Sequence, residues 1–97
     1  MRARLEMWAK EQGGRHTPAF DGYRPAFRAS TEGHGDVDLG VAEVKLPADQ
    51  PMLLPGTQVD VDLTPVDLGA WDMVSVGLVL GVFEDTTQVG TATVLER

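Results

Sequence analysis

The chain has 97 residues, with 11 glycines, 6 prolines, no cysteine and a formal net charge of −7. That length holds one modest core and leaves no room for a separate nucleotide-binding domain, so a single domain over residues 1–97 is expected. The missing cysteines exclude a disulfide framework and a thiolate metal site, and no run of 18 apolar residues suits a membrane helix.

Ala3, Leu5, Met7 and Ala9 alternate with Arg2, Arg4, Glu6 and Trp8, the period-two pattern of a half-buried strand. Gly13-Gly14 then forces a loop. A second strand is expected over Tyr23–Ala29, with Pro25 limiting the side on which it pairs. Val37 and Leu39 alternate with Asp36 and Asp38, and Val41 to Leu46 continue or restart that strand. Pro47 and Pro51 bracket a linker, and Met52 to Gly56 reads as a short apolar segment closed by a Pro-Gly turn. Val59, Val61 and Leu63 against Asp60, Asp62 and Thr64 give the clearest strand, which Pro65 ends. Val66 to Asp72 has room for one helical turn at most. Val74 to Phe83, with Gly77 and Gly81 inside it, reads as a coiled strand, Glu84 to Thr87 as a turn, and Val89 to Leu95 as the last strand. About six strands with regular turn signals and no helical window indicate an all-β barrel or sandwich.

The total charge hides an asymmetry. Residues 1–28 carry six basic groups (Arg2, Arg4, Lys10, Arg15, Arg24, Arg28) against three acids, whereas residues 29–97 carry Lys45 and Arg97 against twelve acids. Phosphate binding requires Lys and Arg, so any nucleic-acid contact is confined to the surface that the first 28 residues form. The acidic remainder reads as a solvated surface. The start Met1-Arg2-Ala3-Arg4 leads into no apolar signal-peptide core, and a cytoplasmic protein is the expectation.

Enzymatic chemistry finds little support. Two histidines cannot supply a zinc site without carboxylates at close spacing, and His34, in the polar run Glu32 to Asp36, has the setting of a solvated side chain. Asp36-Val37-Asp38 opens like a calcium loop, but Gly40 stands where a third oxygen ligand is needed and no closing glutamate follows. Asp36/Asp38 and Asp60/Asp62 each set two carboxylates on one strand face about 7 Å apart, a pattern that reads as the wet face of a strand rather than an acid–base pair. Ser30 and Ser75 lack a nucleophile elbow, and Gly13 to Thr17 lacks a phosphate-binding lysine, so no catalytic group, cofactor or nucleotide is expected. Arg15 and His16 form either a structural loop, with Arg15 on nearby carbonyls or acids, or a binding corner. Arg24 either stacks on Tyr23 or, as is commoner, pairs with a neighbouring acid. Trp8 falls on the parity opposite to Leu5 and Met7, as an exposed interaction anchor or as a cover for the barrel end.

The runs Gly13-Gly14-Arg15-His16-Thr17-Pro18 and Gly22-Tyr23-Arg24-Pro25, with Phe27 two residues on, resemble the GGRHTP and GYRPxF motifs of the C-terminal β-barrel, the third domain, of elongation factor Tu. Met52 to Gly56 resembles that family's MxMPG turn, and Glu84 with Val89-Gly90 resembles its final hairpin. The landmarks follow the family's order over nearly the whole chain. The resemblance implies a six-stranded antiparallel closed β-barrel, here without its GTPase. In the elongation factor this barrel helps hold the T stem of aminoacyl-tRNA, meets the nucleotide exchange factor and packs on the GTPase domain. By resemblance Arg15 and His16 belong to or adjoin the tRNA-facing corner, with Thr17 beside them.

The departures bear on function. The glutamine of the family's YRPQF is Ala26, and its hairpin REGGR is Phe83-Glu84-Asp85-Thr86-Thr87, which keeps Glu84 and loses both arginines. Each lost phosphate contact removes about one unit from the salt slope of nucleic-acid binding. The expectation is therefore a non-enzymatic binding module acting on a protein of the translation machinery, with Arg15, His16, Thr17, Arg24, Glu84 and Trp8 as candidate contacts. The alternative is a tRNA-binding module using Arg2, Arg4, Lys10, Arg15, His16, Arg24 and Arg28 as a basic face.

Overall fold

The computed structural model describes residues 1–31 and 35–97. Its strands are β1 (Arg2–Met7), β2 (Ala19–Phe20), β3 (Ala26–Thr31), β4 (Gly35–Lys45), β5 (Met52–Leu53), β6 (Gln58–Pro65), β7 (Val79–Glu84) and β8 (Thr87–Glu96), with 3₁₀ turns at Lys10–Gln12 and Gly69–Met73. Six of them form a closed barrel in the order β1-β6-β4-β3-β7-β8, every pair antiparallel. Closure comes from β1 on β8, with Leu5 opposite Ala92 and Met7 opposite Gly90. A Cβ on Gly90 would lie 2.4 Å from the Glu6 carbonyl oxygen, so only glycine allows β8 to approach β1 this closely. The short ladder β2–β5 lies outside the barrel sheet and turns Ala19 and Leu53 into the core.

Strand alternation fills the barrel. Ala3, Leu5 and Met7 of β1, Val61 and Leu63 of β6, Leu80 and Val82 of β7, and Ala92 and Val94 of β8 are buried, while Arg2, Arg4, Glu6, Asp62 and Thr64 face outward. In β4 the inward parity changes from Leu39 to Ala42 and Val44. The register against β3 shifts between Phe27 and Arg28, opposite Gly40 and Asp38, so a bulge places one extra residue in β4 and reverses its faces. Val37–Leu39 and Val41–Lys45 are therefore parts of one strand, and Leu46 lies just beyond its end.

Several elements differ from the sequence expectation. Tyr23 makes a single bridge to Val44, and β3 begins only at Ala26, because Gly22 (φ 87°) sits in a turn and Pro25 has no N–H for the ladder. Val74 to Leu78 is not strand: the Val74 and Leu78 N–H groups close turns on Trp71 and Ser75 carbonyls, and β7 starts at Val79. Pro65 is the last residue of β6. Trp71 is 1% exposed and packs edge-on against Phe27, with ring centroids 5.5 Å apart. Its indole Nε1 finds no hydrogen-bond acceptor among the described residues. No helix among these residues is long and apolar enough to cross a membrane.

Candidate functional site

Gly13 and Gly14 build the corner that holds Arg15, each for its own reason. Gly13 takes a left-handed conformation (φ 92°) to end the 3₁₀ turn Lys10–Gln12. A Cβ on Gly14 would stand 2.0 Å from the Trp8 carbonyl oxygen, so the backbone passes there only without a side chain. The chain then leaves Arg15 beside the β7–β8 hairpin.

The Arg15 guanidinium is the hub of the corner. Nε donates to the Thr17 carbonyl (3.1 Å), one Nη to Thr17 Oγ1 and the Pro18 carbonyl (3.4 Å each), and the other to Glu84 Oε2. The Tyr23 hydroxyl donates to the same Glu84 oxygen, and the Arg15 Cζ lies 5.0 Å from the centroid of the Tyr23 ring. One carboxylate oxygen thus holds two donors brought from 61 and 69 residues away. Burial pushes the Tyr23 phenol far above its ordinary value, and the hydrogen bond to and charge of Glu84 add to this, while Arg15 opposes it. For Arg15, burial lowers the guanidinium pKa, but the hydrogen bond and charge of Glu84, with help from Tyr23, outweigh it and the net direction is upward. The hairpin that carries Glu84 turns through Asp85 in a left-handed conformation (φ 54°), a geometry tolerated by aspartate in two-residue hairpins.

The other candidate residues lie apart from this hub. Arg24 does not stack on Tyr23. It reaches across to Glu43 Oε2 on β4 (2.9 Å), and the Tyr23 ring is given to Arg15 instead. His16 is exposed with no hydrogen bond or ion pair among the described residues. Trp8 follows the end of β1 half-buried and outside the core cluster, its backbone N–H donating to the Val89 carbonyl (2.9 Å). His34 lies outside the described residues. Tyr23, considered from sequence only as a platform for Arg24, is the member of the cluster that sequence reasoning misassigned; the signal was its position in Gly22-Tyr23-Arg24-Pro25.

The N-terminal cations are drawn into the acidic remainder of the chain. Arg4 Nε donates to Asp60 Oδ1 (3.0 Å), and Arg2 lies 3.9 Å from both Asp60 and Glu96. Arg28 stacks over the Phe83 ring at 4.3 Å, on the rim of a groove of ≈ 200 Å³ floored by Gly81. Of the six basic residues before position 29, only Lys10 has neither an acid nor a ring partner among the described residues. The aspartate doublets are wet strand faces: Asp60 serves Arg2 and Arg4, Asp36 accepts from the Ser30 hydroxyl (2.7 Å), and Asp38 accepts from the Gly40 N–H (2.9 Å). No three His, Asp or Glu among the described residues converge as metal ligands.

These features define a closed, six-stranded antiparallel β-barrel with one arginine–tyrosine–carboxylate corner where the loop after β1 meets the last hairpin. No protein-family model matches the chain.

Proposed function

We propose that this chain is a non-enzymatic, protein-binding β-barrel of the elongation factor Tu third-domain type, acting in the cytoplasm on a translation GTPase or its exchange factor. The observation that carries the reading is the engagement of the basic residues. Arg15, which by resemblance adjoins a tRNA-facing surface, spends its donors on Glu84, Thr17 and Pro18, and Arg2, Arg4 and Arg24 are paired with acids. RNA binding would have to break several of these pairs on a surface of net charge −7. Protein binding needs none of them broken.

The test is titration of the purified chain into elongation factor Tu lacking its own third domain, and separately into tRNA, each at 50 and 300 mM salt. The proposal expects binding to the truncated factor with an affinity that changes little with salt, and no tRNA complex. Tight tRNA binding that collapses at high salt and is lost in Arg15→Ala would overturn it in favour of the RNA-binding alternative.

A further inference from the structure

We propose that residues 66–79 form a docking surface for a segment of a partner protein that presents lysine or arginine among large apolar side chains. This names a surface for the protein-binding module proposed above and rests on that reading. Among the described residues, five of the nine exposed large apolar side chains lie on this segment: Val66, Leu68, Met73, Val76 and Val79. Leu68 is 70% exposed, and Val66 and Val76 are each 63% exposed. A sixth, Val41, adjoins them, since the Val66 N–H donates to its carbonyl (2.9 Å).

The segment is held in place. N–H groups of Trp71, Val74 and Leu78 close successive turns on the carbonyls of Leu68, Trp71 and Ser75 at 3.0–3.1 Å, and the Gly77 N–H donates to the Val94 carbonyl at 2.8 Å. Trp71 and Val74 are buried in the core, so the residues between and around them are displayed on a fixed backbone. Isolated exposed aliphatics are ordinary on a protein surface; five on one anchored excursion of 14 residues are not.

Charge selects the occupant. Asp67 and Asp72 lie within the segment, and Asp38 faces Asp67 across a groove of ≈ 290 Å³ whose remaining walls are Leu39, Gly40, Gly69 and Ala70. Two bases reach the segment, and both are engaged: Arg97 donates to the backbone carbonyls of Trp71 and Asp72, and Arg28, which shares a groove with Val79, is stacked on Phe83. Small walls beside two carboxylates admit a long cationic side chain, while the neighbouring valines and Leu68 cover apolar groups next to it. A second copy of this chain is a poor occupant. Its arginines 2, 4, 15 and 24 are already paired and Arg28 is stacked on Phe83, which leaves Lys10 and Lys45, neither of them on an apolar excursion like residues 66–79, as the cationic side chains with no acid, ring or carbonyl partner among the described residues.

The experiment uses the full chain, ¹⁵N-labelled, and a fluorescent 14-residue peptide with leucines at helical spacing and lysines elsewhere. Controls are a glutamate-for-lysine version and a lysine peptide whose leucines are replaced by serine. The expected result is saturable binding of the leucine–lysine peptide alone, with amide shifts centred on residues 66–79. Leu68→Asn with Val76→Asn weakens it roughly tenfold or more, and Asp67→Asn with Asp72→Asn several-fold. Phe20→Ser with Met52→Ser, on the separate β2–β5 ladder, leaves it unchanged. Equal binding of the glutamate peptide, shifts centred elsewhere, or insensitivity to the Leu68/Val76 pair would overturn the proposal. So would a concentration-dependent dimer abolished by Leu68→Asn, which would assign the face to a second copy. If the truncated elongation factor binds while the peptide does not, the surface is wrong and the binding module stands; if neither binds, both fail.

Discussion

Replacing Trp71 tests how the barrel core is held. The indole is 1% exposed, is the largest fully buried side chain, and meets Phe27 edge-on at 5.5 Å, yet its N–H has no acceptor among the described residues. Trp71→Ala removes the whole group and leaves a cavity, which costs about 3–5 kcal/mol. Against the roughly 5–15 kcal/mol that stabilises an average domain, this takes about a fifth of the total or more, with a fall in Tm of at least about 12 °C. Trp71→Phe should behave differently. It loses about 1–2 kcal/mol of apolar burial but removes a buried, unpaired donor whose desolvation costs about 1–3 kcal/mol, so the net change should fall within about 1 kcal/mol of zero. Urea unfolding by far-UV circular dichroism measures both variants, and Trp8 remains as the single indole reporter in each. If Trp71→Phe is as damaging as Trp71→Ala, the indole N–H has a partner and the reasoning about an orphan donor is refuted.

Tyr23 is the sole tyrosine, so phenolate absorbance near 295 nm reports on it alone. The native titration should lie well above the unfolded midpoint near 10, because burial and the Glu84 carboxylate both favour the neutral phenol. A raised folded pKa means that this contribution to stability is complete below about pH 10 and declines as pH rises beyond it, where the unfolded chain loses the proton first. Tyr23→Phe should remove that component of the alkaline decline, and an unshifted native titration would show that the corner is open to water. Glu84→Ala, which strands both the Arg15 guanidinium and the Tyr23 hydroxyl, should cost about 1–2 kcal/mol, whereas Arg24→Ala, which breaks an exposed pair with Glu43, should change stability by less than about 0.5 kcal/mol. Equal losses by chemical denaturation would mean that the corner is no tighter than a surface ion pair. Gly90→Ala drives a methyl into the Glu6 carbonyl at the β1–β8 seam and should destabilise by roughly 3 kcal/mol, the upper end for an overpacked site, again read by denaturation.

How much of this was legible in the sequence depends on whether the determining contact is local. The inward and outward faces of β1 and β6 follow directly from alternation, because the buried positions of each strand keep one parity from end to end. Bulges were different: the parity change in β4 left one strand or two as open readings, and only the pairing with β3 shows a single strand. Val74 to Leu78 carried β-branched and aliphatic residues but became a turn, since Gly77 adopts φ 91° and Trp71 draws the backbone inward. The β2–β5 ladder joins two residues on each side across more than 30 positions, too little sequence to signal itself. In the corner, the sequence leaves Arg15 a structural role on nearby carbonyls or acids, and the guanidinium bonds both. The identity of the acid, Glu84, and the role of Tyr23 depend on barrel closure, which no local spacing encodes. Arg24 was expected to pair with an acid, and Glu43 could be named only once β4 was seen beside the Tyr23 bridge.

The seam between β1 and β8 has a consequence for how the molecule comes into being. The first strand has two neighbours, β6 and β8, so its row of backbone donors and acceptors is completed only when the final strand arrives, with Arg2 opposite both Asp62 and Glu96. During synthesis Leu5 and Met7 therefore wait, unpaired on one edge, until β8 has emerged from the ribosome. Folding must then be late and concerted, and any delay leaves an open edge to be shielded.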